Sequence, residues 1–321
     1  MFRAFGLLFA LASCCIADSA SAQQYPSKPV RMVVAAPAGG LTDVVARSVS
    51  QFLQERLGQP FVVENISGAS STIGALTVAR SAPDGYTLLV NPSLLVITPM
   101  LMSVQYDVVK DFTPVSNLGT VPLSVGINPA IPAKTLQEFI ALAKAHPEKF
   151  NWGSEGVGSV GHLTMERIQR DAGFKLLIVP YRGTSPALID LIAGRVSAMI
   201  SPVPNLIEQF RAGTVRPLAV ATKQRVSTLP DVPTLEQSGF RDFEIGSWYG
   251  VWGPGKMPQD VLSILNRAIA EAMKTPRVID RVVAQGLVPV GSSSAEFAAF
   301  QNSEIAKFAR MIKDANIKIG N

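Results

Sequence analysis

Val33-Val34-Ala35-Ala36-Pro37-Ala38-Gly39-Gly40-Leu41-Thr42-Asp43 is the stretch on which the fold turns. A short apolar run, read as a buried strand over 30–35, breaks at a Pro/Gly turn, and an amphipathic pattern begins near Thr42. Such a strand–glycine–helix junction leaves backbone N–H groups without helical partners and aims them at one point, where a carboxylate fits. The helix is expected over 44–57, with Val45, Val49, Phe52, Leu53 and Leu57 on one face and Gly58 as its stop. Ala38, Gly39, Gly40, Thr42 and Asp43 are the candidate ligand contacts of this first loop. The two glycines are expected to use the positive φ common in such turns. Asp43 carries a tension, because a carboxylate repels an anion beside it. Capping the helix, or holding a water that faces the ligand, would resolve it.

Working outward, strand-like and helix-like segments alternate along the chain. Strands are expected at 61–64 and 86–90 with a short helix over 72–81 between them, a βαβαβ unit that makes a parallel sheet with ligands at its carboxyl ends. The plan repeats with strands at 123–127, 150–153, 176–179, 196–200 and 218–222 and helices over 136–145, 160–172 and from Thr184 to Gly194. A last strand lies near Trp248-Tyr249-Gly250-Val251-Trp252, followed by helical segments 259–274, 276–285 and 295–315. The middle of the chain reads as an inserted second lobe. The chain would cross at about 123–126 and return at about 244–248, giving lobe 1 as 23–124 with 246–321 and lobe 2 as 125–245.

Residues 1–22 read as an export signal: Arg3, an apolar run from Ala4 to Ala12 too short to span a bilayer, and Ala20-Ser21-Ala22 as a cleavage site. Leu11-Ala12-Ser13-Cys14 supports a competing reading, lipidation at Cys14. Both cysteines, Cys14 and Cys15, fall in this segment, so a chain cleaved after Ala22 has no disulfide and no Cys-based metal site. The net charge of +5 comes from scattered Lys and Arg, which argues against a nucleic-acid partner.

A second constellation follows the strand at 150–153: Ser154, Gly158, Ser159, Val160 and His162. Ser159 is a plausible N-cap with His162 one turn in, and a neighbouring carboxylate would favour the charged imidazole. Arg182 is a candidate clamp for a second carboxylate, or a partner for Asp190 or Glu208. Glu64, Asn65, Ser70 and Ser71 are candidates for the far end of a ligand. Trp248 and Trp252 read as core in preference to cleft wall. Enzyme readings find little support. There is no HExxH, CxxC or GxSxG, so no catalytic residue, metal or cofactor is expected. Gly156, Gly158 and Gly161 imitate a dinucleotide motif, but the next strand ends Val179-Pro180-Tyr181-Arg182 without the acidic residue such a site requires.

Several motifs, taken in order, resemble one family: Tyr25-Pro26-Ser27-Lys28-Pro29, the first loop, Ala82-Pro83-Asp84-Gly85-Tyr86, Lys110-Asp111-Phe112-Thr113-Pro114, Gly158-Ser159-Val160-Gly161-His162, Val179-Pro180-Tyr181-Arg182-Gly183 and Leu229-Pro230-Asp231-Val232-Pro233. The chain resembles the Bug-type solute receptors of tripartite tricarboxylate transporters over essentially all of its mature length. The resemblance implies an α/β, two-lobed periplasmic binding-protein fold of type II character, each lobe a mostly parallel sheet flanked by helices, with the ligand in the cleft between lobes. It implies a small organic acid held by the two glycine loops, delivery to integral membrane transporter subunits, a periplasmic location and a monomer. A sensor that presents the acid to a signalling partner would have the same pocket. The family's aromatic before the first loop is Ala36 here, its second proline is Ala38, and its usual Asp after the strand ending near Ile200 is Ser201. Those departures imply walls with more room and less to offer an ammonium group, and so a mono- or dicarboxylate, aromatic acids included, without an obligatory α-amino group.

Overall fold

The computed structural model describes residues 25–181, 183–241, 243 and 245–314. The export signal, Cys14 and Arg182 lie outside the described residues. In chain order the elements are β1 (Val30–Val34), α1 (Leu41–Leu57), β2 (Phe61–Asn65), α2 (Thr72–Ala79), β3 (Thr87–Pro92), α3 (Leu94–Leu101) and β4 (Phe112–Ile127). The middle part adds α4 (Leu136–Ala145), β5 (Asn151–Ser154), α5 (Val160–Ala172), β6 (Leu177–Pro180), α6 (Thr184–Ile192), β7 (Ala198–Pro202), α7 (Val203–Arg211) and β8 (Arg216–Val220). The chain closes with β9 (Gly246–Pro254), α8 (Gln259–Ala272), α9 (Pro276–Val283), β10 (Val288–Pro289) and α10 (Ser294–Asp314).

Local chemistry explains where many of these elements begin and end. Gly58 stops α1 in a left-handed cap with φ of 74°, its N–H donating to the Gln54 carbonyl. Thr135 caps α4 by accepting from the Glu138 N–H, while the Glu138 carboxylate accepts from Lys134 N–H. Gly173 ends α5 at φ of 68°. At Gly161 a Cβ would stand 2.3 Å from the Ile200 carbonyl oxygen, so the start of α5 lies against β7 at a distance only glycine permits.

Two sheets share one long strand. In the first, β2, β1 and β3 are parallel, and β9, β4 and the short β10 join antiparallel. In the second, β6, β5 and β7 are parallel, and β7 and β8 flank β4 antiparallel. Each sheet therefore keeps the parallel triplet expected from its βαβ pattern and turns antiparallel at β4 and the strands beside it. β4 pairs with β9 as far as Pro122↔Gly246 and with β7 from Leu123↔Pro202 onward. Beside it, β8 hands over to β9: Ala221 N–H donates to the Leu123 carbonyl and Ile245 N–H to the Ala221 carbonyl.

The sequence pattern missed α3, α7, β10 and the first half of β4. Pro99 lies inside α3, Pro204 in the first turn of α7, and Pro114, Gly119 and Pro122 interrupt β4, whose pairing with β9 shifts register twice. Tertiary pairing overrides those local punctuators. Trp248 and Trp252 are fully buried, and their indole N–H groups donate to Glu304 and Gln301 of α10 at 3.0 and 2.7 Å. Among the described residues no helix is long and apolar enough to cross a membrane.

Candidate functional site

The first loop leaves the carboxyl end of β1 and enters α1 directly. Pro37, Ala38, Gly39 and Gly40 are exposed, whereas Thr42 and Asp43 are buried in the first helical turn. Gly39 takes φ of 81°, and its N–H donates to Asp43 Oδ2 at 3.0 Å. Gly40 precedes the helix at φ of −79°, so the positive φ expected of both glycines holds only for Gly39. No side chain caps α1. The first helical backbone bond runs from Val44 N–H to the Gly40 carbonyl, leaving the N–H groups of Leu41, Thr42 and Asp43 turned to the loop as a donor set.

Asp43 is bound up in bracing this loop. Arg47 Nε also donates to its Oδ2 at 3.0 Å, and Asn65 Nδ2 donates to its Oδ1 at 3.0 Å and to the Ala36 carbonyl at 3.1 Å. Burial pushes the carboxyl up, but the donors Arg47, Gly39 and Asn65, with the charge of Arg47, outweigh it and hold Asp43 below its ordinary value. The ion pair with Arg47 also offsets the repulsion that Asp43 would exert on an incoming anion. Asn65, at the end of β2, is therefore a loop brace, and Glu64 pairs with Arg31 at the surface. Beyond them Ala69, Ser70 and Ser71 hold φ of 44°, 52° and 71°, an uncommon run for residues other than glycine.

The second loop repeats the device. It leaves the carboxyl end of β5 and enters α5. Gly158 takes φ of 79°, and its N–H donates to His162 Nδ1 at 2.9 Å. Ser159 caps the helix, its Oγ accepting from His162 N–H at 3.1 Å. The buried Ser154 hydroxyl turns back into the loop, donating to the Gly156 carbonyl at 3.0 Å, and Val160 packs into the core. The surroundings of His162 favour its neutral form. Burial pushes His162 down, and a ring nitrogen that accepts a backbone N–H has no room for a second proton. Its Nε2 stands 4.0 Å from Glu166, beyond hydrogen-bond reach.

Ser201, fully buried on β7, does not present a bare hydroxyl to the cleft. Its Oγ donates to Glu155 Oε2 at 3.0 Å, and Thr184 Oγ1 at the start of α6 donates to the same oxygen at 2.9 Å. Asn205 of α7 donates to both hydroxyl oxygens, at 3.1 and 3.3 Å, which fixes their protons toward the carboxylate. Burial raises Glu155 against the pull of these two hydroxyls. Glu155 in turn acts across to β9, where burial first and then its charge push the Tyr249 phenol up. Sequence reading passed over Glu155, although it stands inside the second loop. The signal was an acidic side chain beside glycines next to a strand end. Asp190 and Glu208, the alternative partners considered for Arg182, pair with Arg195 and Arg211.

A cavity of about 890 Å³ lies elsewhere, beside the crossing strands, between Pro122, Ile207, Ala221, Trp248, Leu287 and Phe300. It shares no residue with the glycine loops, and its Glu208–Arg211 and Glu304–Lys307 groups are ion-paired. Among the described residues no cluster of His, Cys, Asp and Glu could hold a metal ion.

Two strand–glycine–helix loops, one from each sheet, thus carry the same inward brace. Comparison with known proteins places the whole chain. Residues 45–317 match the family described as tripartite tricarboxylate transporter family receptor. The chain belongs to that family. It is 36% identical to the protein BugT of Bordetella pertussis over 99% of this chain and 98% of that one. The solved structure of Rpa4515 from R. palustris with adipate is 32% identical, with a TM-score of 0.81, over 92% of this chain and 99% of that one. MatC from Rhodopseudomonas palustris with bound malate is 31% identical, with a TM-score of 0.75, over 90% and 100% of the two chains. The fold is that of the periplasmic binding proteins, two α/β lobes built on mixed sheets flanked by helices. The family is one of solute-binding receptors for transporters, and the resemblance read from the sequence motifs is correct.

Proposed function

We propose that this receptor captures a small organic acid between its two glycine loops and delivers it to the integral membrane subunits of a tripartite tricarboxylate-type transporter. The observation that carries the reading is the pair of matched loops. In each, a glycine near φ of 80° turns its N–H inward to the third residue of the following helix, and the helix begins with open N–H donors. Each helix N-terminus favours a carboxylate by roughly 0.3–1 kcal/mol when exposed and up to about 2 kcal/mol when partly buried. The adipate and malate complexes of relatives support the same ligand class.

The two sheets with their helices are read as the lobes 23–124 with 246–321 and 125–245, closing by hinge motion where β4 changes partners and β8 passes to β9. Ala38, Gly39, Gly40, Thr42, Ser159 and Val160 contribute backbone to the site, and Arg182 is retained as a candidate for a second anionic end. Export to the periplasm, action as a monomer and release of the acid unchanged belong to the same reading. A thermal-shift screen of mono- and dicarboxylates tests it. A true ligand at 100 times its Kd stabilises by about 2.7 kcal/mol. A chain that no acid stabilises would refute capture, and an acid recovered altered would refute simple binding.

A further inference from the structure

We propose that Glu155 is a specificity-determining acceptor in the cleft, selecting acids that carry a hydrogen-bond donor, a hydroxyl or an ammonium group, over the plain acid of the same skeleton. The proposal rests on the cleft being an acid site and names which acids enter it. Four elements converge on one carboxylate: the β5–α5 loop supplies Glu155, α6 supplies Thr184, β7 supplies Ser201 and α7 supplies Asn205. The arrangement is directional. Asn205 spends its N–H groups on the two hydroxyl oxygens, so both hydroxyl protons point at Glu155 Oε2. That oxygen is saturated by donors at 2.9 and 3.0 Å.

Oε1 is left. No hydrogen bond from a described residue reaches it, and the residue is partly exposed. It lies 3.7 Å from where a Cβ on Gly161 would stand, in the first turn of α5, the turn whose N–H groups are proposed to hold the ligand's own carboxylate. A ligand seated there brings its neighbouring substituent against a fixed acceptor. A hydroxyl or ammonium satisfies that acceptor. A methylene leaves a desolvated oxygen without a partner, and sites that hydrogen-bond a substrate group reject analogues lacking it far more strongly than apolar pockets do. On this proposal Glu155 brings a carboxyl from the neighbouring loop to the Ser201 position, where the sequence reading took an acid to be lost from the wall.

Calorimetry on the full chain with matched sets tests this: plain, hydroxy and amino acids on each of several three- to six-carbon mono- and dicarboxylate skeletons and on an aromatic one. In at least one set the wild-type chain is expected to bind the hydroxy or the amino acid at least tenfold more tightly than the plain acid, and the stronger of the two identifies the donor. Glu155→Gln keeps the shape but presents an N–H where the carboxylate accepted, and Glu155→Ala removes the group. In Glu155→Ala, checked for folding by its melting transition, that preference is expected to collapse to less than threefold as the plain acid, no longer stranding a desolvated acceptor, gains affinity. Glu155→Gln, checked in the same way, is expected to abolish a preference for the amino acid, whose ammonium cannot accept the new N–H, while a hydroxyl still can. A wild-type chain that binds plain acids as tightly as their substituted partners overturns the proposal and leaves acid capture standing, as does a preference that survives in Glu155→Ala or an amino-acid preference that survives in Glu155→Gln. Failure of every acid to bind overturns both.

Discussion

The two glycine loops solve one geometric problem with opposite electrostatics. In each, a glycine at φ near 80° donates its N–H four residues ahead, to the third residue of a helix. In the first lobe the acceptor is an anion, Asp43, which needs Arg47 and Asn65 to remain charged while buried. In the second it is a neutral imidazole, His162, which needs only burial and a capped helix. The second loop has its own carboxyl group at Glu155, which hydroxyls and not a cation hold among the described residues. A brace can thus be exchanged for another acceptor of similar reach, whereas both helices begin on backbone N–H groups, uncapped by any side chain in α1 and with one of them taken by Ser159 in α5.

Removing the two braces should separate them most clearly. Asp43→Ala leaves the Gly39 N–H, Arg47 and Asn65 without their acceptor, and hydrogen bonds to a charged group are worth about 1.5–3 kcal/mol each. His162→Ala removes a neutral bond worth about 1 kcal/mol, together with its packing. Denaturant unfolding is expected to rank Asp43→Ala as the more damaging by at least about 1 kcal/mol. Equal losses would mean that the Arg47 pairing adds nothing.

The glycines come next. Gly39→Ala and Gly158→Ala each force a left-handed conformation that costs about 1–2 kcal/mol. Around Gly39 a Cβ would meet nothing within 4 Å, whereas Gly158 is buried, so Gly158→Ala should lower the melting temperature further. Gly39→Ala should act mainly on acid affinity, because its methyl projects into open space before α1. If affinity is untouched while the melting temperature falls, the first loop is only a turn.

Acidification should unpick the loops in sequence. His162 is held below its ordinary 6.5, so its contribution is complete above that pH and drains away as pH falls through its lowered folded value. Asp43 is held below its ordinary 3.8, so its contribution persists until lower pH and is lost as pH falls through its own lowered value. Glu155 has the opposite sign. Raised above 4.5, it favours the folded state at low pH and loses that stability as pH rises through its folded value. Glu155→Gln is therefore expected to melt higher than the wild type at pH 7 and to lose the advantage near pH 4. Melting curves of the three variants across pH 3–8 check the order. A Glu155→Gln gain that is the same at every pH would show that the carboxyl is not desolvated.

The smallest effect is reserved for Gly40→Ala. With φ of −79° and a Cβ that would stand 3.7 Å from the Pro37 carbonyl oxygen, alanine meets neither strain nor clash. A helix N-cap changed from Gly to Ala costs a few tenths of a kcal/mol to about 1 kcal/mol. A loss matching that of Gly39→Ala would erase the distinction drawn between the two positions.

What was legible beforehand follows from how far apart the interacting residues lie along the chain. The amino-acid sequence alone determined the strand–glycine–helix junctions, the Ser159 cap, the Gly58 stop and the α/β order, because each is set by residues within one helical turn or by an uninterrupted apolar period. Even the Asp43 brace was within reach, since its partner stands four residues away. Tertiary structure alone decided the rest. Asn65 reaches Asp43 across 22 residues, and Glu155 meets Thr184 and Ser201 across 29 and 46. No local pattern encodes those meetings. Nor does one encode the continuity of β4 through Pro114, Gly119 and Pro122, which depends on partners supplied by β9, β7 and β8. The lowered titration of His162 belongs with them. Burial is its cause, and burial appears only when the chain is packed, because desolvation is a property of everything around a group and not of its neighbours along the chain.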